Sequence, residues 1–521
     1  MRSLSLLVTA GLAAAAVPPG PAQTLLRAWS GAAGDGLGSA VAGLGDVNAD
    51  GRLDYIVGAP QGSAGAGYAT VYSGTGGAVL YTVQGQAVLD GFGLSVARAG
   101  DADGDGHTDF VVGAPYEDRG ALDAGAVYLY SGLTGALLRA SGGAAASDQL
   151  GWAMAAFADV NGDGGDEFAV GAIQGGANNG GYAYCLSGRT GAVLLTFLGD
   201  APLEAFGSSI ANAGDLSGDG LAELLIGAPL NDSGGSDSGR VYIFAGTTGV
   251  LLARLNGPAA GERFGASVAG LGDITGDGLA DFVVGAPGAG PNGPSSGAAY
   301  VFSGTGSVLH VLEGDAPLDA FGSTVASPGD FDGDAVPDIA AGAPADASAR
   351  GYARIFSGAT GAPLYDFVAG NPGGLFGSAI DGAGDLDQDG LAEFLAGSPA
   401  DASVAPGGGR AFLYSPAGPT LEDPVPGLAG VVNTVAFSGA PPLQRVFVVY
   451  GLSAGATVVP GCPGITLGIS PAQVAAAVNA DASGNGTVAG MVPAGMSGRT
   501  AYLQAAVPSA CSVSNRVAHT F

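Results

Sequence analysis

The chain has 521 residues, with 46 acidic against 16 basic side chains and a formal balance of −30; every basic residue is Arg. Such a balance excludes nucleic acid and an anionic membrane surface as partners, since both attract Lys/Arg clusters. The 98 glycines follow no G-x-y period, which excludes collagen, and 47% apolar content excludes a disordered acidic tail.

From the N-terminus, Arg2 precedes an apolar run from Leu4 to Val17, and small residues follow as far as Ala22. This reads as an export signal over 1–23, cleaved near Ala22 or Gln23. The run of about 14 residues is too short to span a bilayer comfortably. Export suits the sparse cysteines. Cys462 and Cys511 share the C-terminal segment and are expected to pair, while Cys185, in YAYCLSG, is expected to be a buried free thiol.

A repeat then organises residues 24–418. A nine-residue acidic loop recurs seven times, with its first Asp spaced by 55, 58, 56, 58, 57 and 55 residues. The copies are DVNADGRLD (46–54), DADGDGHTD (101–109), DVNGDGGDE (159–167), DLSGDGLAE (215–223), DITGDGLAD (273–281), DFDGDAVPD (330–338) and DLDQDGLAE (385–393). Before each comes Phe-Gly or Leu-Gly: Leu37, Phe92, Leu150, Phe206, Phe264, Phe321 and Phe376, each followed by Gly. After each comes an apolar run ending in Gly-Ala-Pro or a variant, then an alternating aromatic run, a tight Gly/Thr turn and a further apolar run. Four short strands per unit of about 57 residues predict four-stranded blades in radial array, a seven-bladed β-propeller. The first strand of each unit is poor in bulk, which suits crowding at the axis. The seventh unit lacks its fourth run, and TLLRAWS (24–30) resembles an unattached one. The N-terminal strand is therefore expected to close the seventh blade, leaving no open edge.

In each loop, oxygen side chains fall at positions 1, 3, 5 and 9. They are Asp46, Asn48, Asp50 and Asp54; Asp101, Asp103, Asp105 and Asp109; Asp159, Asn161, Asp163 and Glu167; Asp215, Ser217, Asp219 and Glu223; Asp273, Thr275, Asp277 and Asp281; Asp330, Asp332, Asp334 and Asp338; and Asp385, Asp387, Asp389 and Glu393. Position 7 offers a backbone carbonyl, from Arg52, His107, Gly165, Leu221, Leu279, Val336 and Leu391. Gly at position 6 permits a sharp turn, and alternate positions point to one centre. An all-oxygen set of this size suits Ca²⁺, up to seven ions, over Zn²⁺ or Cu²⁺. The competing reading is ordinary Asp/Gly turns without metal. Against it, these loops concentrate 24 of the 46 carboxylates, which repel one another without a cation. The sixth loop is the weakest, with Ala335 in place of Gly and Pro337 at position 8.

Taken together, the Phe-Gly signal, acidic loop and Gly-Ala-Pro resemble the FG-GAP repeat of integrin α-subunit propellers and of many bacterial surface proteins. The resemblance implies a seven-bladed propeller with Ca²⁺ loops between first and second strands on its lower face. Integrin-like chains usually keep the metal pattern in only some blades, whereas here all seven keep it. The resemblance does not transfer a ligand, and the chain contains no Arg-Gly-Asp.

Residues 419–428 read as a linker, and 429–521 as a small β-sandwich of short alternating runs. Within it, SPAQVAAAV (470–478) is expected to be a short helix with Ser470 as cap and Pro471 at its first position. This tail faintly resembles C-terminal domains of bacterial exported proteins, so attachment, secretion or plain capping are open roles.

The chain holds only His107, His310 and His519, no Lys and no G-x-S-x-G elbow, so it does not read as an enzyme. It reads as an exported calcium-binding module for adhesion at the cell surface or in the extracellular space. The expected partner is a protein or glycan on the upper face of a monomeric propeller without a transmembrane segment. The alternatives are a structural surface or matrix component, or a hydrolase using upper-face carboxylates. Tyr116, Asp118, Arg119 and Trp152 are the least bland residues of that face, against a reading as ordinary solvated loop.

Overall fold

Each repeat folds as an antiparallel meander, and seven such four-stranded sheets form the ring. The computed structural model describes residues 23–416, apart from 63–64, 75, 177–178, 345–350, 369–370 and 389, and beyond them the strands between 420 and 520. The first blade comprises Ala40–Gly45, Asp54–Ala59, Tyr68–Ser73 and Val79–Gln84, from axis to rim. Its second strand is buried along its whole length, as are the equivalents DFVVGA at Asp109–Ala114 and Asp281–Ala286. Both faces of such a strand meet neighbouring blades, so apolar residues without alternation are what the position requires.

The seventh blade, Ala379–Gly384, Glu393–Ser398 and Arg410–Pro416, is completed by Gln23–Ser30, antiparallel to Arg410–Pro416. The expected closure is therefore observed. Trp29 of the closing strand packs on Tyr55 and Tyr72 of the first blade, with ring centroids 5.3 and 4.9 Å apart. Gln23, counted with the export signal in the sequence, opens this strand; residues 1–22 lie outside the described residues.

Seven apolar cores lie between successive blades, and the residue before each Phe-Gly or Leu-Gly glycine anchors one. Phe92 fills the core between blades one and two, and Leu37 the core between blades seven and one. The glycines of the two signatures meet. A Cβ on the Gly-Ala-Pro glycine would lie 1.9 to 2.1 Å from the carbonyl oxygen of the Phe-Gly glycine one blade on, from Gly58 against Gly93 round to Gly397 against Gly38. Backbone touches backbone there at all seven junctions, so no side chain fits.

The inner strands also share a pattern visible only in register. Ala42, Ala97, Ala155, Ala211, Ala269 and Ala326 occupy one equivalent position, and Asp381 occupies it in blade seven. Its Oδ2 accepts the N–H of Gly43 from blade one at 3.0 Å.

The described residues of the C-terminal segment are all in strands. Val432–Ser438 pairs with Thr420–Leu421 and Gly486–Met491; Arg445–Gly451 pairs with Gln473–Asn479 and Thr500–Val507. Thr420–Leu421 thus forms a short strand inside the expected linker. The helix expected over 470–478 is corrected: Gln473–Asn479 is a strand. Val474, Ala476 and Val478 alternate with period two, and pairing with Arg445–Gly451 overrides the helix preference of alanine. Ser470, Pro471, Cys462 and Cys511 lie outside the described residues. Cys185 is a free, buried thiol. Among the described residues no helix is long and apolar enough to cross a membrane.

Candidate metal centres

The turn from first to second strand places every acidic loop on one face, the lower one, and one hydrogen-bond plan builds all seven. The position 1 aspartate accepts the N–H of position 6 through Oδ2 at 2.8 to 3.0 Å, from Gly51, Gly106, Gly164, Gly220, Gly278, Ala335 and Gly390 in turn. The position 5 aspartate accepts the N–H of position 7 at 2.8 to 3.0 Å in loops one to six. Asp389 of loop seven lies outside the described residues. Position 9, whether Asp or Glu, is buried and accepts the N–H of position 2 at 2.5 to 3.0 Å. The four position 9 aspartates (Asp54, Asp109, Asp281 and Asp338) also accept the N–H of the glycine after the third strand. They thereby pin the loop to the blade.

Two positions per loop adopt positive φ. Position 6 was legible as Gly; position 4 was missed, although Gly104, Gly162, Gly218, Gly276 and Gly333 stand there. Ala49, Gln388 and Ala335 take the same left-handed conformation without being Gly.

In five loops the side chains converge. Single carboxylate oxygens of Asp101, Asp103 and Asp109; Asp159, Asp163 and Glu167; Asp215, Asp219 and Glu223; Asp330, Asp332 and Asp338; and Asp385, Asp387 and Glu393 lie within 4.8 Å of one another. Loops one and five do not bring three carboxylates so close among the described residues; position 3 there is Asn48 or Thr275. Position 3 in loop four is Ser217, whose N–H donates to Glu223. At position 7, Arg52 sends its guanidinium to the carbonyl of Leu386 at 3.1 Å, and the N–H of His107, not its ring, contacts Asp105.

Burial, reinforced by nearby carboxylates, raises position 9: Asp54 to about 6, Asp109 and Glu167 to about 7, Asp338 to about 8. Backbone N–H groups, Gly164 and Gly278 foremost, hold Asp159 and Asp273 below the usual carboxylate range. Loop three thus combines an outer carboxylate, Asp159, held low by backbone N–H groups with a buried one, Glu167, raised by burial, whereas in loop six burial raises the outer Asp330 as well. Asp101 Oδ1 is buried with no hydrogen-bond partner. An all-oxygen donor set with surplus negative charge fits a hard divalent cation.

On the upper face lies a second acidic series that the sequence reading missed. Asp35, Asp90, Asp148, Glu204, Glu262 and Asp319 stand two residues before Phe-Gly or Leu-Gly in six of seven repeats. Five of them accept a tyrosine hydroxyl, from Tyr68, Tyr182, Tyr242, Tyr300 and Tyr352. The signal was present as [DE]-x-[FL]-G. Of the residues singled out on this face, Tyr116 and Trp152 meet edge to face at 6.3 Å. Arg119 is instead taken up by Glu117 and Tyr128, and Asp118 accepts the N–H of Asp123.

The ring, the paired glycines and the loops define an FG-GAP repeat β-propeller of the integrin α type. The FG-GAP repeat family matches residues 92–130, 206–244 and 264–302. The chain is 34% identical to Integrin alpha-PS2 of Drosophila melanogaster over 216 residues, 37% of this chain and 15% of that one. It is 32% identical to Integrin alpha-V of Gallus gallus over 211 residues, 37% of this chain and 20% of that one. It therefore spans a fifth or less of the length of these relatives.

Proposed function

We propose that this chain is an exported calcium-binding propeller that serves as an adhesion or recognition module at the cell surface or in the extracellular space. Calcium sits in the lower-face loops, held by positions 1, 3, 5 and 9 and the position 7 carbonyl, and gives those loops their shape. The upper face, which carries the loops from second to third and from fourth to first strand, receives a protein or glycan. The convergence of three carboxylates, one of them buried, in each of five loops of an integrin-α-type ring is the observation that carries this reading. A non-catalytic role is supported by the upper-face carboxylates Asp35, Asp148, Glu204, Glu262 and Asp319, each of which accepts a tyrosine hydroxyl. The domain division proposed is a propeller over 24–418 followed by a separate tail over 429–521.

The test is to count bound calcium in the full chain, then screen the calcium-loaded protein on matrix-protein and glycan arrays. Glycosidase and phosphodiesterase substrates run alongside. Calcium-dependent capture of one ligand class, abolished by substitution of Tyr116 or Trp152, is the expected result. Turnover of any substrate would replace this reading with the hydrolase, and stoichiometric calcium without any ligand would favour a structural matrix component.

A further inference from the structure

The acidic loops are not seven isolated turns. In loops three, five and seven the N–H of position 8, from Asp166, Ala280 and Ala392, donates to the backbone carbonyl of position 1 in the preceding loop. The acceptors are Asp101, Asp215 and Asp330, at 2.8, 2.8 and 2.9 Å. Between loops two and three the tie is doubled, since the N–H of Asp101 donates to the Asp166 carboxylate at 2.9 Å. The last glycine of the inner strand makes room for this contact. A Cβ on Gly214 or Gly329 would lie 2.8 or 2.9 Å from the Cβ of Ala280 or Ala392. Loops six and five cannot be joined this way, because position 8 of loop six is Pro337, which has no N–H. Among the described residues no such bond joins loops one and two or three and four. Side chains tie loop seven to loop one: Gln388 donates to the carbonyl of Gly51 at 3.0 Å, and Arg52 to that of Leu386.

We infer that the loops take up calcium as coupled groups (two with three, four with five, six with seven and one), with independent behaviour across the five–six boundary. This rests on the calcium reading proposed above. The tie joins the parts that matter on both sides. Position 1 offers its carboxylate to the ion in its own loop and its carbonyl to the next. The donating N–H lies between position 7 and position 9, both ligands of the second ion. Ordering one loop around its ion therefore prepays part of the ordering of its partner, and the coupling is reciprocal.

The experiment follows each loop separately in the full chain, by hydrogen exchange of its peptides against free calcium. Asp219→Asn disables loop four. The calcium midpoint of loop five (273–281) is expected to rise about tenfold, within the 5- to 150-fold span of ordinary coupling, while that of loop six (330–338) moves less than about twofold. Ala280→Pro removes the connecting N–H and copies what loop six already carries, so it tests the tie without touching a ligand. With Ala280→Pro in place, adding Asp219→Asn is expected to leave loop five unmoved. Equal shifts in loops five and six, or none in loop five, overturn the coupling while leaving calcium binding intact. If the unaltered protein binds no calcium, the calcium reading and the coupling fall together.

Discussion

Both faces of the ring carry a repeated series of acidic residues, and they neutralise them differently. On the upper face Glu204 is buried with the Tyr242 hydroxyl at 2.8 Å and the Asn231 amide as donors. Nearby Asp200 is held by Arg240 and Arg254. Its negative charge is settled by the protein itself. On the lower face Asp101, Asp103 and Asp109 gather within 4.8 Å with backbone N–H groups as their main donors, and Asp101 Oδ1 has none. The difference shows that acidic content alone does not mark a cation site. What would mark it is three carboxylates converging where the counter-charge is at most partial, as with Arg189 at 3.8 Å from Asp163 in loop three.

The largest test of this contrast is removal of calcium. Extracellular calcium modules bind with Kd on the order of 10⁻⁴–10⁻³ M. At a calcium level about tenfold above Kd each site adds about 1.4 kcal/mol, and seven sites about 10 kcal/mol. Chelation is expected to lower the melting temperature steeply and expose the lower loops to protease, leaving the upper loops resistant. Calorimetry with and without chelator, with metal counted, checks it; an unchanged melt would return the lower loops to ordinary turns.

A smaller effect belongs to the upper face. Tyr242→Phe takes the hydroxyl from Asp200 and Glu204 and leaves buried carboxylate oxygens short of a donor, at a cost of about 1–3 kcal/mol. Bound calcium should stay at its full count. A loss of calcium with this variant would mean that the faces are not independent.

Between the faces sits Asp381, half-buried on the innermost strand and pushed up to about 6 by burial, against the N–H groups of Gly43 and Gly382. A carboxyl whose folded pKa lies above its unfolded value stabilises most below about pH 4 and loses that contribution as pH rises through about 6. Asp381→Ala restores the alanine of the other six blades. It is expected to be more stable than the parent at pH 8 by about 1–2 kcal/mol, with the gap closing by about pH 4. Denaturant melts of both proteins across this range check it, and a pH-independent gap would clear Asp381 of the effect.

Much of this architecture was legible because spacing recurs. The acidic loop, the Phe-Gly and Gly-Ala-Pro signatures and the spare N-terminal strand each repeat or complete a period, and the ring follows from counting them. What escaped depends on contacts that no period displays. Gly58 meets Gly93 across blades, and the pattern shows only that both are Gly. Asp381 stands out only after seven inner strands are aligned in register. The acidic residue before Phe-Gly was visible in six repeats, but its meaning came from a tyrosine 33 to 38 residues on in the same blade. The tail misled because Ala-rich 473–479 is a helix by local preference and a strand by pairing.

The smallest effect separates shape from charge within the lower face. Position 6 carries Gly in six loops, with φ between 82° and 95°, and Ala335 in loop six at 69°. A left-handed L-residue costs roughly 1–2 kcal/mol, and part of this is offset because glycine gives the unfolded chain more freedom. Ala335→Gly is therefore expected to stabilise the protein by about 0.5–1 kcal/mol. Asp330 keeps its bond to the N–H of residue 335. Gly278→Ala in loop five is the reverse experiment, and no atom lies within 4 Å of where its Cβ would stand, so its cost is purely conformational. Denaturant melts of both variants, with calcium and with chelator, decide where the strain resides. Equal changes in the two conditions mean that the fold imposes the left-handed turn. A change seen only with calcium means that the ion imposes it, and loops without metal would then be free to relax.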